Sequence, residues 1–521
     1  MNRAVVVLVG WMLVIAASGC RTPPTPEIKR LVIENVTVIP MTGVGDERIA
    51  TVVIEDGKIV SMVGPDGEDA RHNVRRIDGS GKFLLPSFVD THVHLDDVGD
   101  LSVLLAHGVG AVRNMEGQPY HLYVRDLVDD GTLIGPRFKT CGPYTNLPTI
   151  QSVADAENAV REQHDAGYDC IKIHGELSVE SLEALGRTAS EFGMPVVGHA
   201  PRNLDLQASL SVGAIREISH AEEYLYTWYA HHNNDGWERD AATATRQAGV
   251  EVAPALAMYR SILRQVADLD AELSGIPLEL AGPFSRRAFR PSNNQYKRKF
   301  NPEDATWMGE YLGRQQALVT ALRDEGVTLL LGTDANATGS IPGHAVHEEL
   351  ALLVASGLTP YEALEVGTRN GWDSVVGRGF AGRVREGLAA ELVLLDANPL
   401  VDIQNSRKIT GVVSSGRWFD RAALDALLRE QIDRYVTDQP FVDRLWDNDI
   451  GDAMEWYGQM REEDPSVQVA RETMACQAMR SVRDGAPEAA VEMLDILVSE
   501  YPEDPLGTRL LEDLNERGAA E

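Results

Sequence analysis

LLPSFVDTHVHL, residues 84–95, is the stretch on which the reading of the whole chain turns. An apolar run, Leu84–Val89, leads into Asp90-Thr91-His92-Val93-His94. Successive side chains of a strand point to opposite faces, so His92 and His94 share one face. Two imidazoles on one face, at the C-terminal end of a strand, can ligate one metal ion. Taken alone, a His-x-His pair is as readily two strand-end histidines with no ligand. Four residues further along favour the metal: Lys172, His199, His220 and Asp334 each stand at the end of a candidate strand.

From residue 84 the chain alternates between apolar strands and amphipathic helices. The candidate strands are 84–93, 109–114, 137–141, 169–174, 194–198, 215–219, 250–255 and 327–333. Helices are expected between them, among others Ser152–Ala166, Ser178–Phe192, Trp237–Ala248 and Ala305–Glu325. Eight such strands predict an α/β fold, a (β/α)8 TIM barrel over residues 84–379, with its chemistry at the C-terminal strand ends. Short β-branched runs on both flanks, 30–83 and 380–425, predict one composite small β-sandwich domain. Asp56-Gly57 marks a hairpin within it. Residues 426–521 predict a C-terminal helical extension containing one tetratricopeptide-like helix pair. A single such unit needs a neighbour to pack on, either the barrel or a partner subunit, so a homo-oligomer is an expectation.

Tyr259–Tyr311 is a long connection carrying Arg260, Arg264, Arg286, Arg287, Arg290, Lys297, Arg298 and Lys299. Two readings stand level: a lid or binding element, or a surface insertion paired with the acidic body. That acidity is pronounced. With 48 Lys and Arg against 79 Asp and Glu, the net charge is −31, which excludes nucleic acid as a partner.

Residues 1–20 combine Arg3, the uncharged apolar run Ala4–Ala17 and the small residues before Cys20. This resembles a bacterial lipoprotein signal. The resemblance implies lipidation at Cys20, a linker over 21–29, and a place at the bacterial cell envelope, on the outer membrane facing the periplasm. Cys141, Cys170 and Cys476 are odd in number and widely spaced, so no disulfide framework is expected. Cys141 and Cys170 read as small core residues.

Lys172 lies in an apolar run, Asp169–His174. A buried ammonium is costly, so it is either paired with a carboxylate or chemically neutralised. Carboxylation by carbon dioxide would turn it into an anionic oxygen ligand able to bridge two ions. Four imidazoles, one such carbamate and one aspartate suit two divalent metal ions, zinc above all.

The chain resembles the metal-dependent amidohydrolase superfamily, close to its prolidase- and imidazolonepropionase-like branch. The stretches that carry the resemblance are PSFVDTHVHL (86–95), GVGAVRNMEG (108–117), GYDCIKIHG (167–175), MPVVGHAP (194–201), IREISHAEEY (215–224), LLLGTDAN (329–336), 347–372 and 382–403. The resemblance implies that His92 and His94 hold the first metal, Lys172 bridges, and His199 and His220 hold the second. Asp334 is implied to be the catalytic aspartate, also touching the first metal.

It further implies hydrolysis of an amide-type C–N bond in a small substrate, a dipeptide or an N-acyl amino acid. A metal-bridging hydroxide would attack, and Asp334 would shuttle the proton. Glu391 and Ala389 stand where the family often has Asp and Lys, and His174-Gly175-Glu176 replaces its glycine-rich run. His174 shares the face of Lys172 and, with Tyr144 and Asn146, is a candidate substrate contact. Arg113 reads as an internal ion pair and His347 as structural. Two alternatives remain: a cyclic amide or imidazolone-type hydrolase with one metal, and a non-catalytic binding lipoprotein.

Overall fold

The computed structural model describes residues 30–64, 74–336, 339–464, 469–483, 485–502 and 505–518. The leader and Cys20 lie outside the described residues. No helix among the described residues is long and apolar enough to cross a membrane.

The N-terminal flank forms β1 (Arg30–Val38), β2 (Arg48–Glu55), β3 (Lys58–Val63), β4 (Arg75–Asp78) and β5 (Phe83–Pro86). The two runs read separately at 31–33 and 36–39 are one strand, β1. A register shift between Ile33 and Val36, with Asn35 at positive φ, keeps both halves paired to β2. Asp56 and Gly57 both have positive φ, as a two-residue hairpin turn requires.

β6 (Phe88–Val93), β7 (Val109–Asn114), β8 (Arg137–Thr140), β9 (Ile171–Ile173), β10 (Val196–Gly198), β11 (Glu217–Ser219) and β12 (Glu251–Ala253) follow, with helices between them. Ser152, Ser178 and Asp205 each cap the helix that starts after them by accepting a backbone N–H. Past them lie β13 (Leu392–Leu395), β14 (Ile409–Ser414) and β15 (Arg417–Asp420). The order β15-β14-β13-β5-β1-β2-β3, with β4 on β1, makes one sheet from both flanks of the chain. Its core includes Ile33, Val36, Ile59, Leu392 and Val413.

The candidate strand 84–93 is in fact two strands in two sheets. β5 pairs with β1 and β13, whereas β6 pairs in parallel with β7. The chain crosses at Ser87, whose N–H donates to Glu391 O and whose carbonyl accepts from Trp372 Nε1.

The parallel strands fall into two sets, β6-β7-β8 and β9-β10-β11-β12. A Cys141–Cys170 bridge pair connects the sets, Val252 pairs with Leu329, and Ala335 pairs back to Val93. The pairings therefore follow one another in a ring. Residues 327–333 are not a regular strand. Their backbone hydrogen-bonds to both neighbours, Val252 on one side and Thr91 on the other, before Asp334 turns to positive φ.

Cys141 and Cys170 form a disulfide, with Cα atoms 4.3 Å apart. The expectation that both were merely small core residues is corrected here. They are 29 residues apart in sequence, and the parallel pairing of their strands makes them neighbours.

The tail is helical throughout its described part: Arg421–Asp447, Ile450–Glu463, Arg471–Arg483, Pro487–Glu500 and Pro505–Gly518. Its first helix packs on Gly99–Ala106, where the buried Tyr435 hydroxyl donates to Asp100 Oδ1 at 3.0 Å.

Candidate metal centre

β6 delivers His92 and His94 at its C-terminal end, and both rings face the same space, 5.4 Å apart between centroids. Asp90 locks this strand to the Asp334 segment. Its carboxylate accepts from His92 N at 3.2 Å, Thr333 N at 3.1 Å and Thr333 Oγ1 at 2.5 Å. Burial raises its carboxyl to about 7. Asp334 Oδ1 stands 3.1 Å from His92 Nε2 and 3.0 Å from His94 Nε2.

Lys172 leaves β9 fully buried, with Nζ 3.5 Å from His92 Nε2. Among the described residues no carboxylate lies within 4.0 Å of Nζ. Burial lowers its pKa to about 8. Gly198 makes the room: a Cβ there would stand 2.5 Å from Lys172 Cδ. His199 follows that glycine, and His220 follows β11 at positive φ. The His220 ring is 4.7 Å from His92 and 4.9 Å from His199 between centroids.

All six residues singled out from the sequence thus meet at one mouth of the parallel layer. The tightest set is His92, His220 and Asp334, whose ligand atoms lie within 4.8 Å of one another. His199 is held differently, with Nδ1 at 3.1 Å from Glu223 Oε1. Glu223 in turn receives the Arg202 guanidinium, Nε at 3.1 Å and Nη2 at 2.5 Å.

Burial drives the His92 and His199 rings well below the ordinary histidine range and His220 to about 3. Burial acts the same way on His94, but the Asp334 and Glu116 carboxylates overcome it and raise His94 to about 9. Burial would lift the Asp334 carboxyl, yet the surrounding imidazoles hold it well below the usual range. His92 Nδ1 and His220 Nδ1 are buried with no hydrogen-bond partner among the described residues. Four imidazoles crowded about one carboxylate, beside an amine with no carboxylate within 4.0 Å among the described residues, are a donor set that fits divalent metal.

The centre opens into a cavity of about 540 Å³. His174 and Tyr144 both line it, stacked with ring centroids 4.3 Å apart. Tyr144 donates to Glu116 Oε2 at 3.2 Å. Asn146 instead donates to Leu147 O.

Arg113 is the internal ion pair expected of it, buried against Glu217. His347 is structural, bonding Ser406 Oγ at 2.9 Å and His107 O at 3.2 Å. The 259–311 connection pairs with the acidic body and also lines the cavity. Arg260, Arg287 and Arg290 pair with Glu348, Asp447 and Asp443, while Tyr259, Tyr296, Phe300 and Trp307 line the cavity.

Sequence reading missed Glu116, Arg202, Glu223 and Arg480. Glu116 sits just past β7, the same strand-end position that exposed the histidines. Glu223 is three residues past His220, and Arg202 three past His199, both in the segments that follow the strand ends. Nothing local marks Arg480, which comes from the C-terminal helices.

A family model for the amidohydrolase family matches residues 83–419. Ochratoxinase from Aspergillus niger is 37% identical over 476 aligned residues, covering 76% of this chain and 88% of the relative. A 5-methylthioadenosine/S-adenosylhomocysteine deaminase from Symbiobacterium thermophilum is 33% identical over 176 residues; the match spans 39% of its length. Among solved structures, a Xaa-Pro dipeptidase with bound methionine superposes with a TM-score of 0.58 at 18% identity. That superposition covers 75% of this chain and all of the dipeptidase, and at this identity it speaks for the fold alone.

Proposed function

The chain belongs to the amidohydrolase family, hydrolases of carbon–nitrogen bonds, and from that premise we propose that it cleaves the amide bond of a dipeptide or an N-acyl amino acid at a two-metal centre. The observation that carries this is the convergence of His92, His94, His199, His220 and Asp334 on one substrate-sized cavity, with the buried Lys172 Nζ 3.5 Å from His92 Nε2. In this reading the ring of parallel pairings is one (β/α)8 barrel. The chain then divides into that barrel over 84–379, a composite β domain from 30–83 and 380–425, and the extension over 426–521.

His92, His94 and Asp334 would hold one ion, His199 and His220 a second, with carboxylated Lys172 between them. Burial that lowers the lysine to about 8 enlarges its neutral fraction, the form that adds to carbon dioxide. When bound, a pair of divalent ions such as zinc supplies Lewis acidity toward the carbonyl oxygen and eases deprotonation of water. Asp334, held ionised, accepts the proton of the attacking water and delivers it to the leaving nitrogen. His174 and Tyr144 orient the substrate from the cavity wall.

The test is purified, metal-loaded protein against a panel of Xaa-Pro dipeptides and N-acyl amino acids, with the released amine quantified. Turnover of either class supports the reading; a cyclic amide turned over in place of both would replace it. The tight His92–His220–Asp334 set favours one further reading, a one-metal cyclic amide hydrolase. Metal stoichiometry separates the two.

The same proposal tethers the protein through a lipid at Cys20 to the cell envelope, at the outer membrane on the periplasmic side. The Cys141–Cys170 disulfide supports an oxidising compartment. A Cys20→Ser variant that still fractionates with membranes would refute the tether.

A further inference from the structure

The helical extension reaches the cavity that holds the metal-ligand candidates. Arg480, on the helix Arg471–Arg483, lines that cavity together with His94 and Asp96. Its side chain is only 7% exposed. Nη2 pairs with Asp96 Oδ1, and the guanidinium carbon lies 3.6 Å above the Phe284 ring. Nε is buried with no hydrogen-bond partner among the described residues. Ser285 Oγ completes the corner by donating to Asp96 Oδ2 at 2.9 Å.

Arg480 is one of several holds on the same loop. Residues 96–100 begin two positions after His94 and carry three carboxylates, Asp96, Asp97 and Asp100. Such a run repels itself unless cations or donors meet it. The extension supplies them: Arg434 pairs with Asp97, and Tyr435 Oη donates to Asp100 Oδ1 at 3.0 Å.

The long connection is clipped to the same helices. Arg287 and Arg290 reach Asp447 and Asp443, both at 2.6 Å, and Gln439 Nε2 donates to Pro283 O at 3.0 Å. Phe284 and Arg480 are therefore fixed against each other from two remote parts of the chain. Both line the cavity together with Asp96 and the candidate ligand His94.

We propose that the C-terminal extension is a wall of the substrate pocket and that Arg480 is a specificity-determining residue: stacked on Phe284 and tied to Asp96, it closes the cavity on the His94 side and limits the acyl group that a substrate extends toward that side. Short acyl groups fit there and long chains do not, the limit being set by the closed side and not by the cavity's total volume of about 540 Å³. This rests on the amide-hydrolase reading above. A bound extended substrate would have to displace a buried, paired guanidinium, which costs the pairing and the stacking together.

The experiment compares kcat and KM of wild type, Arg480→Ala, Arg480→Lys and Phe284→Ala on N-acetyl-, N-hexanoyl- and N-decanoyl-phenylalanine. Metal content is measured for each protein. Wild type is expected to favour the acetyl compound. Arg480→Ala is expected to raise the decanoyl-to-acetyl ratio of kcat/KM by roughly tenfold or more, chiefly through KM. Arg480→Lys, which keeps the charge but not the planar stack, should fall between. Phe284→Ala should move the ratio in the same direction while leaving the Asp96 pair intact, and it decides the matter if Arg480→Ala does not fold.

An unchanged ratio in the folded variants, or a uniform loss of kcat across the three compounds, overturns the proposal while leaving the hydrolase reading in place. A wild type that neither cleaves nor binds any of the three sinks that reading and this inference with it.

Discussion

Substituting Gly198 by alanine tests how the centre is built without replacing any proposed ligand. Gly198 has φ +115°, and a Cβ there would stand 2.4 Å from Ile173 O, 2.5 Å from Lys172 Cδ and 2.9 Å from Lys172 Cε. Ile173 O cannot yield readily, because it accepts the His199 N–H at 2.9 Å across the β9–β10 ladder. The methyl group must therefore push Lys172 or part the two strands, and either movement separates Lys172 from His199.

A side chain at such a φ costs about 1–3 kcal/mol, and overpacking adds about 1–3 kcal/mol. The sum, about 2–6 kcal/mol, is a large part of a typical stability of about 5–15 kcal/mol. Gly387→Ala is the control. It also has positive φ, +89°, but nothing lies within 4 Å of its Cβ, so only the backbone cost applies. Urea denaturation of both variants, with metal content after dialysis, reads the difference. Gly198→Ala is expected to lose clearly more stability than the control and to retain less metal. If the two variants agree within about 0.5 kcal/mol, and Gly198→Ala keeps the wild-type metal content, the account of how Lys172 is seated is wrong.

Asp334→Asn keeps the side-chain volume but removes the proton acceptor. It is expected to lower kcat by about 10²–10⁴ with metal content near normal, and loss of metal in parallel with activity would contradict the shuttle role. Arg113→Met leaves Glu217 buried and uncompensated. The expected cost is about 3–5 kcal/mol by urea denaturation, largely recovered when Glu217→Gln is added, and a single variant as stable as wild type would refute the pair's importance.

Glu391 is buried, and its carboxyl is raised from 4.5 to about 7 by burial, only partly offset by Arg137. A raised folded-state value means the folded protein holds a proton that the unfolded chain has released. The contribution is thus full below about 4.5 and lost as pH rises through about 7. Glu391→Gln should therefore flatten the fall in thermal stability over that window, and an unchanged pH profile would count against it.

Much of the centre was legible because strand alternation is a local rule. His92 and His94 must share a face, and a lysine inside an apolar run must be explained. The strand-end positions of His199, His220 and Asp334 followed from the alternation of strands and helices. What escaped depends on the fold itself. The apolar run 84–93 carries no local mark of its break, because both halves are buried, one in each sheet. Cys141 and Cys170 become partners only once β8 and β9 lie side by side. The segment 327–333 has strand composition, but it spends its hydrogen bonds on two neighbours in turn. Arg480 meets Asp96 across most of the chain, and no spacing rule connects them.

The account stands on the claim that these six side chains hold paired divalent ions with Lys172 between them. The direct measurement is the number of divalent ions per chain in purified wild type beside Lys172→Ala, by elemental analysis. Two ions in wild type and at least one fewer in the variant are expected. Full retention of both ions by Lys172→Ala, or none in a wild type that still cleaves amides, would contradict it.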